Sequence, residues 1–313
     1  MTIVNHWFAA FAILLIVGCS GTTEVNGGGP YRPDLSTGFS TVLIGGYNTG
    51  IFYSTDTCNT WHIPAQNTSP HAYCIYSSAH YVFAATIGSG LFRSSDGGQN
   101  WSRVQGISDS NVYSVYGSGQ NVVIGCASLG LMTSNDEGET WSLTNPSAKG
   151  VVSIYGIGPT IFAASNAAGT LRSTDHGMNW ESLSNDFGFG VNYLGVSDQI
   201  VYASTSGGVI RSTDLGDHWI RCAASQVQYG ISGNGKSVFG GTQAGIVMSN
   251  DSGSTWLNVP QVNALVLRPI VRGNFVFAAS EPLGMFLSSD NGATWQHKNN
   301  GLADSLNYGM GLW

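Results

Sequence analysis

The sequence contains seven copies of one eight-residue motif. The copies read STDTCNTW, SSDGGQNW, SNDEGETW, STDHGMNW, STDLGDHW, SNDSGSTW and SSDNGATW. The tryptophans that end them, beginning with Trp61, are separated by 40, 40, 39, 39, 37 and 39 residues. A period this regular indicates a repeat array in which each unit is one small supersecondary structure.

Composition favours strands over helices. Only 9% of the 313 residues are charged, 43 are Gly and 42% are apolar. Such a chain is typical of a well-buried all-β body. The formal net charge is -7 and the eleven Lys and Arg residues are scattered, so the sequence lacks the basic face that binding to nucleic acid requires.

Each unit contains four short strands, which we call A, B, C and D in chain order. In the third unit these are residues 112–116, 121–127, 131–134 and a strand that starts at Trp141. Residues 40–313 number 274, close to seven units of 39 residues. The first unit has no A strand of its own, and residues 305–313 look like an A strand without followers. We therefore predict an all-β, seven-bladed β-propeller of four-stranded antiparallel blades, closed by a C-terminal strand that completes blade 1.

The motif Ser/Thr-x-Asp-x-Gly-x-x-Trp resembles the Asp box of the Asp-box (BNR-repeat) β-propellers. That family includes sialidases, xyloglucan hydrolases, sortilin-type receptors and photosystem II assembly factors. The resemblance covers about 270 residues and implies that the motif is the turn between strands C and D, on the face opposite the ligand site.

An Asp in such a tight turn accepts backbone N–H groups, and Gly takes the positive-φ position. The motif aspartates are therefore predicted to be structural: Asp56, Asp96, Asp136, Asp175, Asp214, Asp251 and Asp290. Cys58 replaces the Gly of the first motif, so we expect that turn to be distorted.

The N-terminus carries an apolar stretch over residues 3–17, shorter than the roughly 20 residues of a relaxed membrane span. The sequence Ile16-Val17-Gly18-Cys19 resembles a bacterial lipoprotein signal, which implies cleavage before Cys19 and attachment of lipid to its sulfur. An ordinary signal peptide with an incidental cysteine is the alternative.

These observations predict a signal peptide at residues 1–18, a flexible tether at 19–39 and the propeller at 40–313. The resemblance implies a location in the bacterial cell envelope, at the outer membrane, with membrane contact only through the N-terminal lipid. Cys58, Cys74, Cys126 and Cys222 fall at different positions of the repeat, so they are expected to be separate thiols, although an exported protein could pair them. No metal site and no cofactor is predicted, because the sequence has no Cys/His spacing that suits one.

Ligand-binding residues are predicted where the repeat is interrupted, on the face that carries the D-to-A and B-to-C connections. Asp186, Phe187 and Phe189 lie on a glycine-containing loop, Arg268 is an arginine on an A strand, and Glu281 lies in a B-to-C turn. Aromatic and acidic loops suit a sugar ring or a peptide. The alternative is that each loop packs its own aromatic residue on a neighbouring blade.

Two functions fit the sequence. The first is a monomeric, non-catalytic binding or scaffold propeller that presents its loop face to a protein or a glycan. The second is a glycoside hydrolase, which needs two carboxyl groups roughly 5–9.5 Å apart; Glu281 and Asp304 are the candidate catalytic pair, on adjacent connections. A sialidase-like site is not expected, since that family uses three arginines and only Arg268 is well placed here.

Overall fold

The computed structural model describes residues 12–17, 41–46, 50–64, 72–78, 80–183, 190–222, 226–281 and 283–302. They form antiparallel sheets that each follow one sequence repeat. We call the sheet of the first repeat sheet 1 and the others blades 2 to 7.

Sheet 1 has three strands, and each of the six blades has four. Their bounds are β1 (Ala12–Val17), β2 (Thr41–Gly46) and β3 (Gly50–Ser54) in sheet 1; β4 (Ala72–Ser77), β5 (Val82–Thr86), β6 (Gly90–Ser94) and β7 (Ser102–Arg103) in blade 2; β8 (Val112–Ser118), β9 (Asn121–Cys126), β10 (Leu131–Ser134) and β11 (Ser142–Asn145) in blade 3; β12 (Val151–Ile157), β13 (Thr160–Ser165), β14 (Gly169–Ser173) and β15 (Glu181–Leu183) in blade 4. The remaining strands are β16 (Val191–Ser197), β17 (Ile200–Thr205), β18 (Gly208–Ser212) and β19 (Ile220–Arg221) in blade 5; β20 (Ile231–Asn234), β21 (Ser237–Thr242), β22 (Gly245–Ser249) and β23 (Leu257–Val259) in blade 6; β24 (Leu265–Arg272), β25 (Phe275–Glu281), β26 (Gly284–Ser288) and β27 (Gln296–His297) in blade 7.

The prediction of seven four-stranded blades is wrong. Among the described residues six sheets have four strands, and sheet 1 has three. In the first repeat the fourth strand is reduced to one isolated bridge between Tyr53 and His62. Pro64 follows two residues later and has no N–H to donate, which limits any longer pairing.

The innermost strand of sheet 1 also differs from the prediction. β1 pairs antiparallel with β2 along its whole length, from Ala12 opposite Gly46 to Val17 opposite Thr41. Residues 305–313, which were predicted to take this place, lie outside the described residues. An apolar run such as AILLIV satisfies a signal peptide and a buried strand equally well, so its composition does not distinguish the two.

Each pair of neighbouring sheets shares a cluster of buried apolar side chains, which gives seven clusters around the described part of the ring. The ring closes where Val42 and Phe52 of sheet 1 pack with Phe277 and Leu287 of blade 7. On its other side sheet 1 packs on blade 2, and β1 contacts both β24 and β4. The arrangement is therefore a closed ring of sheets, an all-β propeller.

Small residues end the B strands where the sheets converge. A Cβ atom on Gly125 of β9 would lie 2.5 Å from the Cβ of Val151 in the next blade. Real Cβ atoms do not approach so closely, which explains why glycine stands there.

The eight-residue motif forms the turn between strands C and D. In blade 3, Ser134 Oγ donates to Asp136 Oδ1 at 2.7 Å and accepts from the Gly138 amide at 2.8 Å. The amide and hydroxyl of Thr140 donate to the same carboxylate at 2.9 and 2.6 Å. Gly138 has a φ of 87°, and the Trp141 indole N–H donates to its carbonyl at 3.2 Å. These contacts account for the aspartate as a turn former.

The first motif keeps this turn despite its cysteine, so the expected distortion is not observed. Cys58 is fully buried, adopts a φ of 64° and donates its amide to Ser54 Oγ at 2.9 Å. Its Trp61 differs, since the indole N–H donates across the ring closure to the Lys298 carbonyl at 2.8 Å. Within the described residues, Cys58, Cys74, Cys126 and Cys222 are free thiols.

The motif turns predict a loss of stability in acid. The pKa is lowered to about 2 for Asp56, Asp136, Asp175, Asp214, Asp251 and Asp290. At Asp136 the hydroxyl and amide of Thr140 are the main causes; at Asp56 burial acts in the opposite direction and the hydrogen bonds outweigh it. A carboxylate with a depressed folded-state pKa stabilises the fold above its unfolded value of about 3.9 and ceases to do so as pH falls towards 2.

We therefore expect the melting temperature to fall steadily between about pH 4 and pH 2. Calorimetry across this range measures it. Asp136→Asn and Asp251→Asn each remove one such carboxylate, so the slope of each variant should be shallower than that of the wild type. Identical slopes would contradict the assignment.

Candidate functional site: the channel mouth

Two kinds of connection share the face opposite the motif turns. Asp109, in the connection between β7 and β8, accepts hydrogen bonds from the amides of Asn111 at 3.0 Å, Ser128 at 2.7 Å and Leu129 at 3.2 Å. Ser128 and Leu129 belong to the turn between β9 and β10. The D-to-A and B-to-C connections therefore meet on one side of the ring, which we call the loop face.

The A strands are bulged where they start on the loop face. The register shifts between Ala72 and Cys74 in β4, and a shift over one residue recurs at the start of β8, β12 and β16. In β24 the shift spans two residues, between Val266 and Pro269. A bulge re-aims the side chain of its extra residue. The positions concerned hold Tyr73, Tyr113, Val152, Asn192 and the pair Leu267 and Arg268, and Tyr229 precedes β20 in blade 6.

Tyrosines from opposite sides of the ring meet at this level. The hydroxyls of Tyr73 in blade 2 and Tyr193 in blade 5 are hydrogen-bonded, and Tyr229 of blade 6 lies near Tyr193. The Tyr73 and Tyr113 ring centroids are 5.6 Å apart. Side chains of blades 2 and 5 can meet only over the central channel, so this cluster forms the channel mouth.

Arg268 reaches the same place from blade 7. It aligns with Cys74 of blade 2 in the repeat, and its Nη1 lies 3.6 Å from the Cys74 sulfur. The side chain is partly buried. Burial alone would lower the pKa of Arg268, but interactions with Cys74 and Tyr193 hold it above its ordinary value. The guanidinium is thus a permanent positive charge in the channel.

The structure gives little information on the other predicted site residues. Asp186, Phe187, Phe189 and Asp304 lie outside the described residues, and so does the predicted lipid attachment at Cys19. Glu281 is the last residue of β25, where its backbone pairs with Leu265.

Sequence reasoning missed the tyrosines of the channel mouth. A signal was present, because an aromatic residue recurs near the start of the A strand at Tyr73, Tyr113 and Tyr229. The bulges that re-aim Tyr73 and Tyr113 have no signature in the sequence.

A second concavity lies at the seam between blade 7 and sheet 1. This crevice of about 150 Å³ is lined by Thr57, Asn59, Phe275, Leu287, Ser289, Thr294, Gln296 and Lys298. It adjoins the motif turns, and Lys298 Nζ already donates to Asn59 Oδ1 at 2.8 Å. Its position and small size make it a packing feature of the seam.

Among the described residues, no helix is long and apolar enough to cross a membrane. No group of three or more His, Cys, Asp or Glu side chains there is arranged to hold a metal ion.

No protein-family model and no curated protein sequence matches this chain. Several solved structures superpose on it. A GH74 enzyme from Niastella koreensis superposes with a TM-score of 0.69 at 15% identity, over 89% of this chain and 55% of that one. The chain is a β-propeller. YCF48 bound to D1 peptide gives a TM-score of 0.59 at 21% identity, over 79% of this chain and 89% of that protein.

An ancestral GH74 enzyme gives a TM-score of 0.60 at 18% identity over 73% of this chain, which spans 38% of that enzyme's length. At these identities the likeness is one of fold, so it carries neither an activity nor a ligand to this propeller.

Proposed function

We propose that this propeller is a non-catalytic binding protein that holds a polypeptide segment at the channel mouth on its loop face. The observation that carries the proposal is the cluster of Tyr73, Tyr113 and Tyr193 around Arg268. This cluster combines aromatic surface, hydroxyl groups and a charge.

Tyrosine suits such a role. It offers a large apolar area with a hydroxyl at its tip, and fixing it costs little side-chain entropy. The connection that carries the predicted Asp186, Phe187 and Phe189 leads into β16, whose bulged Asn192 is exposed beside the mouth. These three residues and Glu281 therefore belong to the proposed contact surface.

The fold neighbours are compatible with this function. One is a propeller bound to a peptide, YCF48 with D1 peptide. Others are GH74 enzymes, which keep glycoside hydrolysis as the alternative. Asp109 is an acid of the loop face whose side chain is described, and three backbone amides already occupy its carboxylate. The binding function is preferred because the tyrosines and Arg268 at the channel mouth suit a polypeptide, and a hydrolase that would use Glu281 and Asp304 is kept as the alternative.

We further propose that the chain is a lipoprotein of the bacterial envelope, attached through Cys19. Cleavage before Cys19 would remove β1 and leave the edge of β2 without a partner. Residues 305–313 would then take that place, since Leu306 follows Trp295 by the same 11 residues that separate Val191 of β16 from Trp180.

The binding function is tested with a photo-crosslinking amino acid placed in the full chain in its producing cell. One variant carries it at the exposed Asn192 of the loop face, and the matched control carries it at Met178, which is 44% exposed in the motif turn of blade 4. We expect discrete polypeptide adducts from position 192, several-fold stronger than from 178, and expect Tyr113→Ala to weaken them.

Adducts from position 178 alone would place binding on the opposite face and overturn the proposal. Adducts at 192 that disappear after glycosidase treatment, and not after protease treatment, would replace the polypeptide by a glycan.

A further inference from the structure

The surroundings of Arg268 differ from those of Arg93 and Arg172, two arginines that join neighbouring blades. Arg93 pairs with Glu139 at 2.7 Å, and Arg172 pairs with both Glu181 and Asp217 at 2.7 Å. Arg268 has no carboxylate partner among the described residues. Its one hydrogen bond there is to the Cys74 sulfur at 3.6 Å, a weak acceptor for a group with five N–H donors.

The repeat has been changed locally to admit this side chain. The place of Arg268 on the A strand is held by Cys74, Ser114 and Ser153 in blades 2 to 4, by Tyr193 in blade 5 and by Gly230 in blade 6. A Cβ atom on Gly230 would lie 2.8 Å from Arg268 Cγ. Glycine in blade 6 therefore provides the room that a long cationic side chain in blade 7 needs.

The groups around the guanidinium are also donors. Burial raises the pKa of Tyr73 and of Tyr193, so both hydroxyls keep their protons at neutral pH. A chain with a net charge of -7 thus places a positive charge beside two phenols, of which one uses its O–H in the hydrogen bond between Tyr73 and Tyr193 and the other can donate to an anion. A partly buried positive charge without an anionic partner raises the free energy of the folded protein. An anion that accepts hydrogen bonds from the guanidinium would offset that cost.

We infer that the channel mouth contains an anion subsite, formed by Arg268 with Tyr73 and Tyr193, that takes a carboxylate. A carboxylate matches the planar guanidinium in a two-point contact, and its single charge matches one arginine. A phosphate monoester carries close to two charges and calls for further cations. The inference deepens the proposed function, on which it rests: the carboxylate belongs to the polypeptide segment held at the mouth.

The subsite is tested with acetate, and with acetamide as its neutral isostere, titrated into the full chain at neutral pH and low ionic strength. Nitrogen-15 NMR follows the Arg268 side-chain N–H and the amides of Cys74 and Gly230. We expect saturable shifts with acetate and none with acetamide. Arg268→Gln should weaken acetate binding by about tenfold or more, as expected for the loss of charge-assisted hydrogen bonds.

Two further variants, one a control and one an independent test, accompany this titration. Arg272→Gln removes an arginine from the same strand whose Nη1 donates to the carbonyl of Val271, and it should leave acetate binding unchanged. Gly230→Ala keeps the charge of Arg268 but displaces its side chain, so it should weaken acetate binding while the melting temperature confirms a folded protein.

The two proposals fail in different ways. Acetate binding without any crosslink from position 192 would leave the subsite standing and overturn the polypeptide function. Crosslinks that persist in Arg268→Gln, together with acetate shifts that are absent or equal in wild type and variant, would overturn the subsite alone.

Discussion

Replacing Phe277 with Ala is expected to lower the free energy of unfolding by about 3–5 kcal/mol, the usual cost of deleting a buried phenylalanine ring. Phe277 is fully buried on β25, in the cluster that joins blade 7 to sheet 1. The cavity would open at the seam between the last and the first repeats, where the ring closes.

Phe162→Ala is the matched control. Phe162 occupies the same B-strand position in blade 4, is equally buried and joins blade 4 to blade 5. Leu257→Ala, at a side chain 67% exposed, should change stability by no more than about 0.5 kcal/mol. Chemical denaturation measures all three variants. A Phe277 variant as stable as the Leu257 variant, beside a strongly destabilised Phe162 variant, would show that the seam is not closed by this packing.

Much of the fold could be predicted because the motif constrains each turn locally. Ser134, Asp136 and Gly138 contact one another within five residues, so their roles follow from spacing and turn chemistry. The period then places every strand between two such turns. The prediction erred where a repeat departs from the pattern, at Pro64, which limits the fourth strand of sheet 1.

The site was harder to predict, because its residues are far apart in the sequence. Arg268 could be noticed, since an arginine breaks the pattern of the A strands. Its contact with Cys74 spans 194 positions and depends on the closure of the ring. Tyr73 and Tyr113 were hidden for a related reason: their side chains are re-aimed by bulges, and bulges depend on the register between strands.

A second large effect is expected from removing both chain ends that could pair with β2. A chain that lacks residues 1–18 loses β1, but it is expected to stay folded, because residues 305–313 can take the vacated place. A chain that lacks residues 1–18 and 303–313 keeps neither segment. The edge of β2, paired over six residues with β1, would then be open between blades 7 and 2.

That double truncation is expected to lose several kcal/mol, on the order of 3 or more, since each ladder hydrogen bond contributes about 0.5–1.5 kcal/mol. The open edge should also promote association between molecules. Denaturation and light scattering of the full chain, of the two single truncations and of the double truncation measure both effects. If the two segments substitute for each other, each single truncation is mild and the double one exceeds their sum. A chain that unfolds on loss of residues 1–18 alone would show that β1 is an obligatory strand, and would contradict both the proposed exchange and the cleavage before Cys19.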